Sequence, residues 1–452
     1  MDFRVGKLVE LATTGLDDEG AGVASLPGAT VYVTGALAGE RVLVRLEHAS
    51  PHHGGRDRKM WGRCERVLSK SADRVAPACP AFGRCGGCPL QHLAYPQQLS
   101  WKRDKVVAAL APVVPEAEAL VGACVPSPAP LGYRNQAKYV YGQGPEGAPL
   151  LGAYAPRSHT LVDLLGCKVV SPVLDRTAHG LRDLLAEFAV EPYDERTGGG
   201  LLRHLVLRCD PEDRVLVSLV TRSRPWPDAE AFAAAVLARN PQVVGVVRNL
   251  NDGTGNAIFG SEDIPLWGRP WLDVPVGATH VPVGPRAFLQ VNFGTAARVW
   301  AEIRKAVASV GPVNRLVDLY AGVGAIAFSV ADLASDLVAI EENPAGTLAG
   351  TQAARKAGLP VAFFTGEVAA RLEALGQAEV VILNPPRAGA GERVSAAVAA
   401  ARPRLVAYLS CSPKSLARDL VTLVAQGLEP VAITPFDMHP HTPHVEVLLL
   451  LR

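Results

Sequence analysis

The stretch RLVDLYAGVGAIAFSVA (315–331) decides the fold class. RLVDLY reads as a short buried strand, AGVG as a glycine turn and AIAFSVA as the start of a helix. Gly322 and Gly324 permit the backbone to approach a ligand where that helix begins. Working outward, the texture repeats. A helical pattern, TAARVWAEIRKAVASV, precedes the stretch, and the short buried strands LVAIEE, VVILN and LVAYLS follow it with helical segments between. Strands alternating with helices predict a doubly wound parallel sheet, so residues 286–452 are α/β.

Three features give this sheet a ligand. Glu341 ends the second strand, 23 residues after Asp318, where a carboxylate can accept both hydroxyls of a ribose. The pattern Gly322-x-Gly324-x-x-Ala327 also fits the dinucleotide fingerprint, which keeps an oxidoreductase open. Without a ligand it is a plain glycine turn. After VVIL comes Asn384-Pro385-Pro386-Arg387, whose rigid Pro-Pro pair fixes a loop at the strand end. A strand followed by Asn/Asp-Pro-Pro resembles the S-adenosylmethionine-dependent methyltransferases. The next strand, LVAYLSC, delivers Cys411 to the same edge, where ligands bind in open α/β sheets. Taken alone, a cysteine there is a buried spectator thiol.

The chain has 452 residues, enough for two to four domains. Its 45 basic and 44 acidic side chains nearly cancel, so net charge selects no partner. Distribution says more: residues 41–74 hold nine bases against four acids, and residues 1–40 hold six acids against two bases. A local basic stretch can contact phosphate. Residues 1–70 alternate apolar and polar residues between glycines, which predicts a small β-barrel, with SPHHGGRDRK (50–59) as a basic loop. A helix is expected around 96–111. Residues 75–285 carry strand-like runs such as HLVLRC (204–209) and VLVSLV (215–220) and read as a mixed α+β, largely antiparallel domain. MDFRVGKLVE lacks the apolar core of a signal peptide, and no apolar run approaches a membrane span; a cytoplasmic protein without a membrane partner is expected.

In a reducing compartment, eight cysteines call for a metal or catalytic reading rather than disulfides. Cys79-x5-Cys85-x2-Cys88 places three thiols in ten residues with Gly83, Gly86 and Gly87 between them, enough to wrap one metal centre. By counting alone, Cys64, Cys124, Cys167 and Cys209 compete as a fourth ligand. Zinc sites usually show two close pairs, and this chain has one C-x-x-C.

Taken in order, DLYAGVG, NPPRAG, YLSCSP and HTPHVEVL resemble the RNA uridine-C5 methyltransferase family. LGYRN (131–135), LLRHLVLR (201–208) and FLQVN (288–292) extend the match over most of the chain. The first barrel resembles the OB-like TRAM RNA-binding domain that many members carry. The resemblance implies an S-adenosylmethionine methyltransferase domain at 286–452, behind a TRAM-like barrel at 1–70 and a central domain at 75–285. It implies Cys411 as nucleophile and Glu446 as base, with Gln290, Tyr320, Glu341 and Asn384 at the donor. It selects Cys167 as the fourth ligand, beside Cys79, Cys85 and Cys88, of a [4Fe-4S] cluster. The implied partner is RNA, ribosomal RNA foremost, met by a monomeric enzyme. Transfer RNA is the rival substrate, since members acting on it commonly lack the barrel and the cluster.

The chain departs from the family at three positions. Ala321 stands where Cys is frequent, Asn384 where many members have Asp, and Ser412 where Asn often follows the nucleophile. Asn384 keeps a hydrogen-bonding oxygen but cannot carry a charge. A non-catalytic RNA-binding protein would be expected to lose Cys411 or Glu446, and both are present. His439, His441 and His444 are expected to face solvent or hydrogen bond rather than hold a metal.

Overall fold

The computed structural model describes residues 4–51, 58–144, 147–277 and 279–452. Most of the expected basic loop at 50–59 lies outside the described residues.

Five strands, β1 (Leu8–Leu16), β2 (Gly22–Leu26), β3 (Ala29–Thr34), β4 (Arg41–Ala49) and β5 (Arg58–Ser69), close into a barrel in the order β1-β2-β3-β5-β4. Strict alternation drives the closure. Val42, Val44 and Leu46 of β4 are fully buried, while Leu43 and Arg45 between them are half-buried and Arg41 and Glu47 on either side are exposed. Gly62 is required where β4 and β5 cross: a Cβ there would lie 2.7 Å from the carbonyl oxygen of Arg45.

Helices α1 (Tyr95–Leu110) and α2 (Ala117–Leu120) lead to a seven-stranded sheet. Its strands are β6 (Gln136–Gln143), β7 (Pro149–Tyr154), β8 (Leu161–Asp163), β9 (Leu202–Cys209), β10 (Val215–Thr221), β11 (Val243–Leu250) and β12 (Glu262–Gly268), ordered β12-β11-β10-β9-β6-β7-β8. Only β10 and β11 run parallel, and α4 (Ala229–Arg239) makes their crossover. With α3 (Pro172–Glu187) it covers one face, burying Leu181, Leu185, Phe232 and Val236.

After the hairpin β13 (Leu272–Val276) and β14 (Thr279–Val283) comes the doubly wound unit. Its elements are α5 (Phe293–Ser309), β15 (Val313–Leu319), α6 (Ala325–Ser329), β16 (Ala334–Glu341), α7 (Pro344–Ala357), β17 (Val361–Thr365), β18 (Val380–Leu383), α8 (Glu392–Ala400), β19 (Leu405–Ser410), α9 (Pro413–Ala425), β20 (Pro430–Phe436) and β21 (Glu446–Leu451). The sheet order is β17-β16-β15-β18-β19-β21-β20. The first five strands are parallel, and β21 enters antiparallel between β19 and β20. β18 and β19 are buried along their whole length because helices cover both faces. Leu319, Leu383 and Tyr408 pack into one face, and Leu316, Ile382 and Leu409 into the other. The order reverses between β15 and β18, so the crevice beyond their carboxyl ends is the expected ligand site of such a sheet.

Packing cuts across the division of the chain at 75–285 and 286–452. Val106 and Leu110 of α1, with Ala117 and Val121, belong to the core beneath β15, β18 and β19. Leu216 and Val247 of the central sheet pack with β13, β14 and Ala353 of α7. No helix among the described residues is long and apolar enough to cross a membrane.

Candidate active site

Three strand ends converge on the crevice. At the end of β15, Tyr320 adopts φ 63°, and Gly322 and Gly324 follow at φ 59° and 87°. A left-handed tyrosine is strained by roughly 1–3 kcal/mol and persists only where its surroundings fix it. Gly324 cannot be replaced on a second ground, because a Cβ would lie 2.5 Å from the Phe363 ring. The helix it caps, α6, has only five residues. At the end of β16, the Glu341 carboxylate accepts the Gly322 N–H at 2.8 Å through one oxygen and the Asn343 N–H at 2.8 Å through the other. Each oxygen keeps a second lone pair for a ligand hydroxyl. Below them, Asp318 is fully buried; burial pushes its carboxyl up to about 8, against the pull of the Ala327 backbone.

At the end of β18, the Asn384 N–H donates to Leu319 O at 3.2 Å, tying the Asn-Pro-Pro-Arg loop to the glycine turn. Beyond it, the loop is held by α9. The Ala390 and Gly391 N–H groups donate to the Asp419 carboxylate at 2.6 and 3.1 Å, and Tyr408 donates to the same carboxylate. Ser415 Oγ donates to Arg387 O at 2.6 Å, and Arg418 to Ala388 O at 3.1 Å. The Arg387 side chain thus starts from a backbone fixed on two sides.

Cys411 follows β19, and Ser412 caps α9 by accepting the Ser415 N–H. The thiol opens into a cavity of about 360 Å³ shared with Arg387, Lys105, Lys414, His444 and Asp18. The β19–β21 ladder runs from Val406↔Leu451 to Ser410↔Val447. Cys411 and Glu446 each lie one residue beyond that last pair, and the Glu446 charge reaches the thiol. Burial pushes the Glu446 carboxyl up to about 7, against the pull of the Arg387 guanidinium. Cys411 is raised by burial and by the Glu446 charge, and lowered by the nearby Arg387 guanidinium. Cys411, Glu446 and Arg387 therefore form one electrostatic unit.

The loop that leads into Glu446 is fixed from α1. Lys102, fully buried, pairs with the equally buried Asp437 and donates to His439 O at 3.1 Å. Gln98 donates to Leu93 O, meets His441 Nδ1 at 3.1 Å and accepts the His441 N–H at 3.0 Å. His441, at φ 68°, is a second strained residue. Of the three histidines, His444 is exposed and His441 is buried and bonded, which fits the expectation for those two; His439 is half-buried and stacks edge-on against His444. The backbone of Gln290 is held by Asn135 Nδ2 at 2.9 Å, and two residues on Asn292 donates to Met438 O at 3.1 Å, linking this segment to the same loop.

A protein of Geobacter sulfurreducens described as an uncharacterized RNA methyltransferase is 36% identical to the chain over 453 residues, spanning 99% of it and 90% of the relative. The chain belongs to this family of RNA methyltransferases. Another member, from Gloeobacter violaceus, is 32% identical over 99% of the chain and 97% of its own length. A third, from Caldanaerobacter subterraneus subsp. tengcongensis, is 31% identical over 99% of both. No family model matches the chain. The solved structure of the Pyrococcus abyssi tRNA (uracil-54, C5)-methyltransferase in complex with S-adenosyl-L-homocysteine shares the fold of this RNA methyltransferase. Its TM-score is 0.77 at 23% identity, over 98% of this chain and 100% of that one.

Away from the crevice, Cys79, Cys85, Cys88 and Cys167 line one cavity of about 550 Å³ in the methyltransferase. Cys64 lines it too, from the barrel wall; Cys124 and Cys209 are buried elsewhere. The Cys88 thiol is pushed up to about 12 by burial and then by the charges of Cys167, Cys85 and Cys79, so the four lie within electrostatic reach of one another. The Gly87 N–H donates to Cys85 Sγ at 3.3 Å. Among the described residues, no three or more His, Cys, Asp or Glu side chains are grouped to hold a metal ion. The structure thus brings the four expected cysteines to one cavity without grouping them as a metal site.

Sequence reasoning passed over Arg387, Lys102, Asp437 and Asp419. For Arg387 the signal was its place directly after a rigid Pro-Pro pair. For Lys102 it was the stripe Gln98, Lys102, Val106, Leu110, which puts a lysine on the buried face of α1.

Proposed function

We propose that this RNA methyltransferase transfers a methyl group from S-adenosylmethionine to C5 of a uridine in RNA. The observation that carries the reading is the approach of Cys411 to the buried Glu446 carboxyl at the end of one ladder, with the Arg387 charge acting on both. Uracil C5 is too weakly nucleophilic to attack a sulfonium methyl unaided. The Cys411 thiolate adds to C6, forming an S–C6 bond and placing carbanion character on C5. S-adenosylmethionine, when bound, supplies the electrophilic methyl group that C5 takes. Glu446 then removes the C5 proton, the C5–C6 double bond re-forms and the S–C6 bond breaks. A carboxylate with a pKa near 7 is matched to that transfer. Arg387 favours the thiolate before addition and faces Glu446 while its charge is unmatched.

Glu341, through its free lone pairs, would hold the donor ribose, with Tyr320, Asn384 and Gln290 lining the donor. The TRAM-like barrel of residues 1–70 would grip phosphates, and the target uridine would be flipped into the Cys411 cavity. Cys79, Cys85, Cys88 and Cys167 would hold a [4Fe-4S] cluster with a structural role, since four ligating thiolates leave no iron open.

Ribosomal RNA is the substrate we propose. Transfer RNA is the second reading, and the barrel does not disfavour it, because a fold shared over 98% of this chain belongs to an enzyme whose name specifies tRNA. The test is incubation of the protein with labelled S-adenosylmethionine and either large-subunit ribosomal RNA or tRNA transcripts, followed by nucleoside analysis. 5-Methyluridine is expected; a different methylated nucleoside refutes the chemistry, and label confined to tRNA refutes the substrate.

A further inference from the structure

The Cys411 cavity has a mouth that is odd for a polyanionic substrate. Two carboxylates, Asp18 and Glu19, line it from the barrel, at the turn between β1 and β2. Each meets or neighbours a cation from another part of the chain. Asp18 Oδ2 lies 2.5 Å from Lys414 Nζ, and Lys105 Nζ donates to Asp18 O at 2.6 Å and to Pro443 O at 2.9 Å. Lys414 is the second residue of α9, a helix of 13 residues capped by Ser412, so its ammonium and the helix N-terminus favour the same anion.

The turn is built to present Asp18. Asp17 accepts the N–H groups of Glu19 at 3.0 Å and Ala21 at 2.8 Å, which closes the turn and leaves Asp18 at its tip. Gly20, at φ 83°, sits so close to Leu90 that a Cβ would lie 2.5 Å from its side chain. Leu90 in turn donates its N–H to His441 O at 3.0 Å, so the turn is seated on the loop that carries Glu446. The ion pair itself is open to water, with side chains 74% and 50% exposed, and so contributes little to stability and is readily exchanged.

We infer that Lys414 and Lys105 form the seat of an RNA phosphate at the mouth of the Cys411 cavity, and that Asp18 occupies this seat in the free enzyme. This rests on the reading of the Cys411 cavity as the place a flipped nucleotide enters. A flipped base leaves its backbone phosphates at the mouth, where a carboxylate would repel them unless it gives up its cations to them. The Asp18 carboxylate stands in for the phosphate at Lys414, while its main-chain carbonyl holds Lys105 beside it until RNA arrives.

The test measures affinity of the full-length protein for a fluorescent 12-nucleotide single-stranded RNA with one central uridine, at several salt concentrations and without a methyl donor. Asp18→Asn is expected to tighten binding about fivefold by removing the competitor. Lys414→Ala is expected to weaken it and to lower the slope of log K against log salt by about 0.7, the share of one phosphate on a single strand. Lys414→Arg should retain affinity, which separates loss of charge from loss of fold. Asp18→Asn combined with Lys414→Ala should bind like Lys414→Ala alone. Unchanged or weaker binding by Asp18→Asn, an unchanged slope for Lys414→Ala, or no binding of the probe by the unmodified protein would each overturn the inference. Because no donor is present, these affinities do not depend on the chemistry: a product other than 5-methyluridine with these affinities as stated would remove the proposed reaction and leave the phosphate seat standing.

Discussion

Glu446 and Cys411 each lie one residue beyond Ser410↔Val447, the last pair of the β19–β21 ladder. The Glu446 charge reaches the Cys411 thiol and raises it, so the protonation of one group bears on the other. A thiol beside a buried carboxyl would be a poor nucleophile if both groups were charged. Proton placement resolves this: with Glu446 protonated, Cys411 loses the neighbour that most opposes its ionisation after burial itself. In the proposed mechanism Glu446 gives its proton to solvent once the thiol is bonded to C6, and so becomes the anion that the elimination needs.

Separate variants should split these roles. Cys411→Ala is expected to abolish methyl transfer and leave donor binding nearly intact, as read by calorimetry with S-adenosylmethionine. Glu446→Gln is expected to let addition and methylation proceed and stall elimination, so a covalent protein–RNA adduct should survive denaturing electrophoresis. Turnover by Cys411→Ala, or the absence of any adduct with Glu446→Gln, would sink the assignment.

The raised pKa of Glu446 also predicts a pH dependence of stability. Its ordinary value is 4.5 and its folded value is about 7. Between those two values the folded protein holds a proton that the unfolded chain releases, so this group's contribution to stability is full below about pH 4.5 and is lost as pH rises to about 7. The gap corresponds to roughly 3 kcal/mol. Denaturant unfolding at pH 8 should find Glu446→Gln more stable than the unmodified protein by up to that amount, with the difference shrinking towards pH 5. In single-turnover assays the elimination step should accelerate with rising pH and level off above about 7. An unfolding difference independent of pH would mean that Glu446 ionises normally.

The parallel sheet was legible because its strands are continuous apolar runs separated by helical periods, and the glycine turn marks its first crossover. The pairing of Cys411 with Glu446 was not legible from periodicity. It depends on β21 entering between β19 and β20, a non-local choice that leaves no trace in local pattern; only family resemblance joined the two residues. The docking of α1 beneath the same sheet was hidden for the same reason, since its apolar stripe could face any core. Arg387 looked like an ordinary loop charge because its importance comes from Ser415, Arg418 and Asp419, which lie on α9 and fix the loop that carries it.

The buried pair of Lys102 and Asp437 should be costly to break and inexpensive to replace. Removing one partner leaves a buried charge uncompensated, typically about 3–5 kcal/mol. Lys102→Met is therefore expected to lower the unfolding free energy by that order in denaturant titrations. Lys102→Met combined with Asp437→Leu should recover much of the loss, because no charge remains buried. Methyl transfer should not recover with it. Lys102 also donates to His439 O, and that bond fixes the loop before Glu446. Recovery of activity together with stability would show that the pair is structural only.

The cysteine cavity gives the sharpest test of what lies outside the crevice. Cys79, Cys85, Cys88 and Cys167 line one cavity, and the proposed cluster would be held there by their thiolates. Protein purified without oxygen should contain iron and acid-labile sulfide in equal amounts, with the visible absorption of an iron–sulfur centre. Cys85→Ser and Cys167→Ser should each reduce both contents. Cys64→Ser should leave them unchanged, although Cys64 lines the same cavity, because it lies on the barrel wall rather than among the thiols that raise Cys88. The cavity borders β5 as well as the cysteine loop, so loss of the centre should also loosen the barrel, read as faster amide exchange along β5. Zinc in place of iron would exclude the cluster. Loss of iron in Cys64→Ser but not in Cys167→Ser would make Cys64 the fourth ligand.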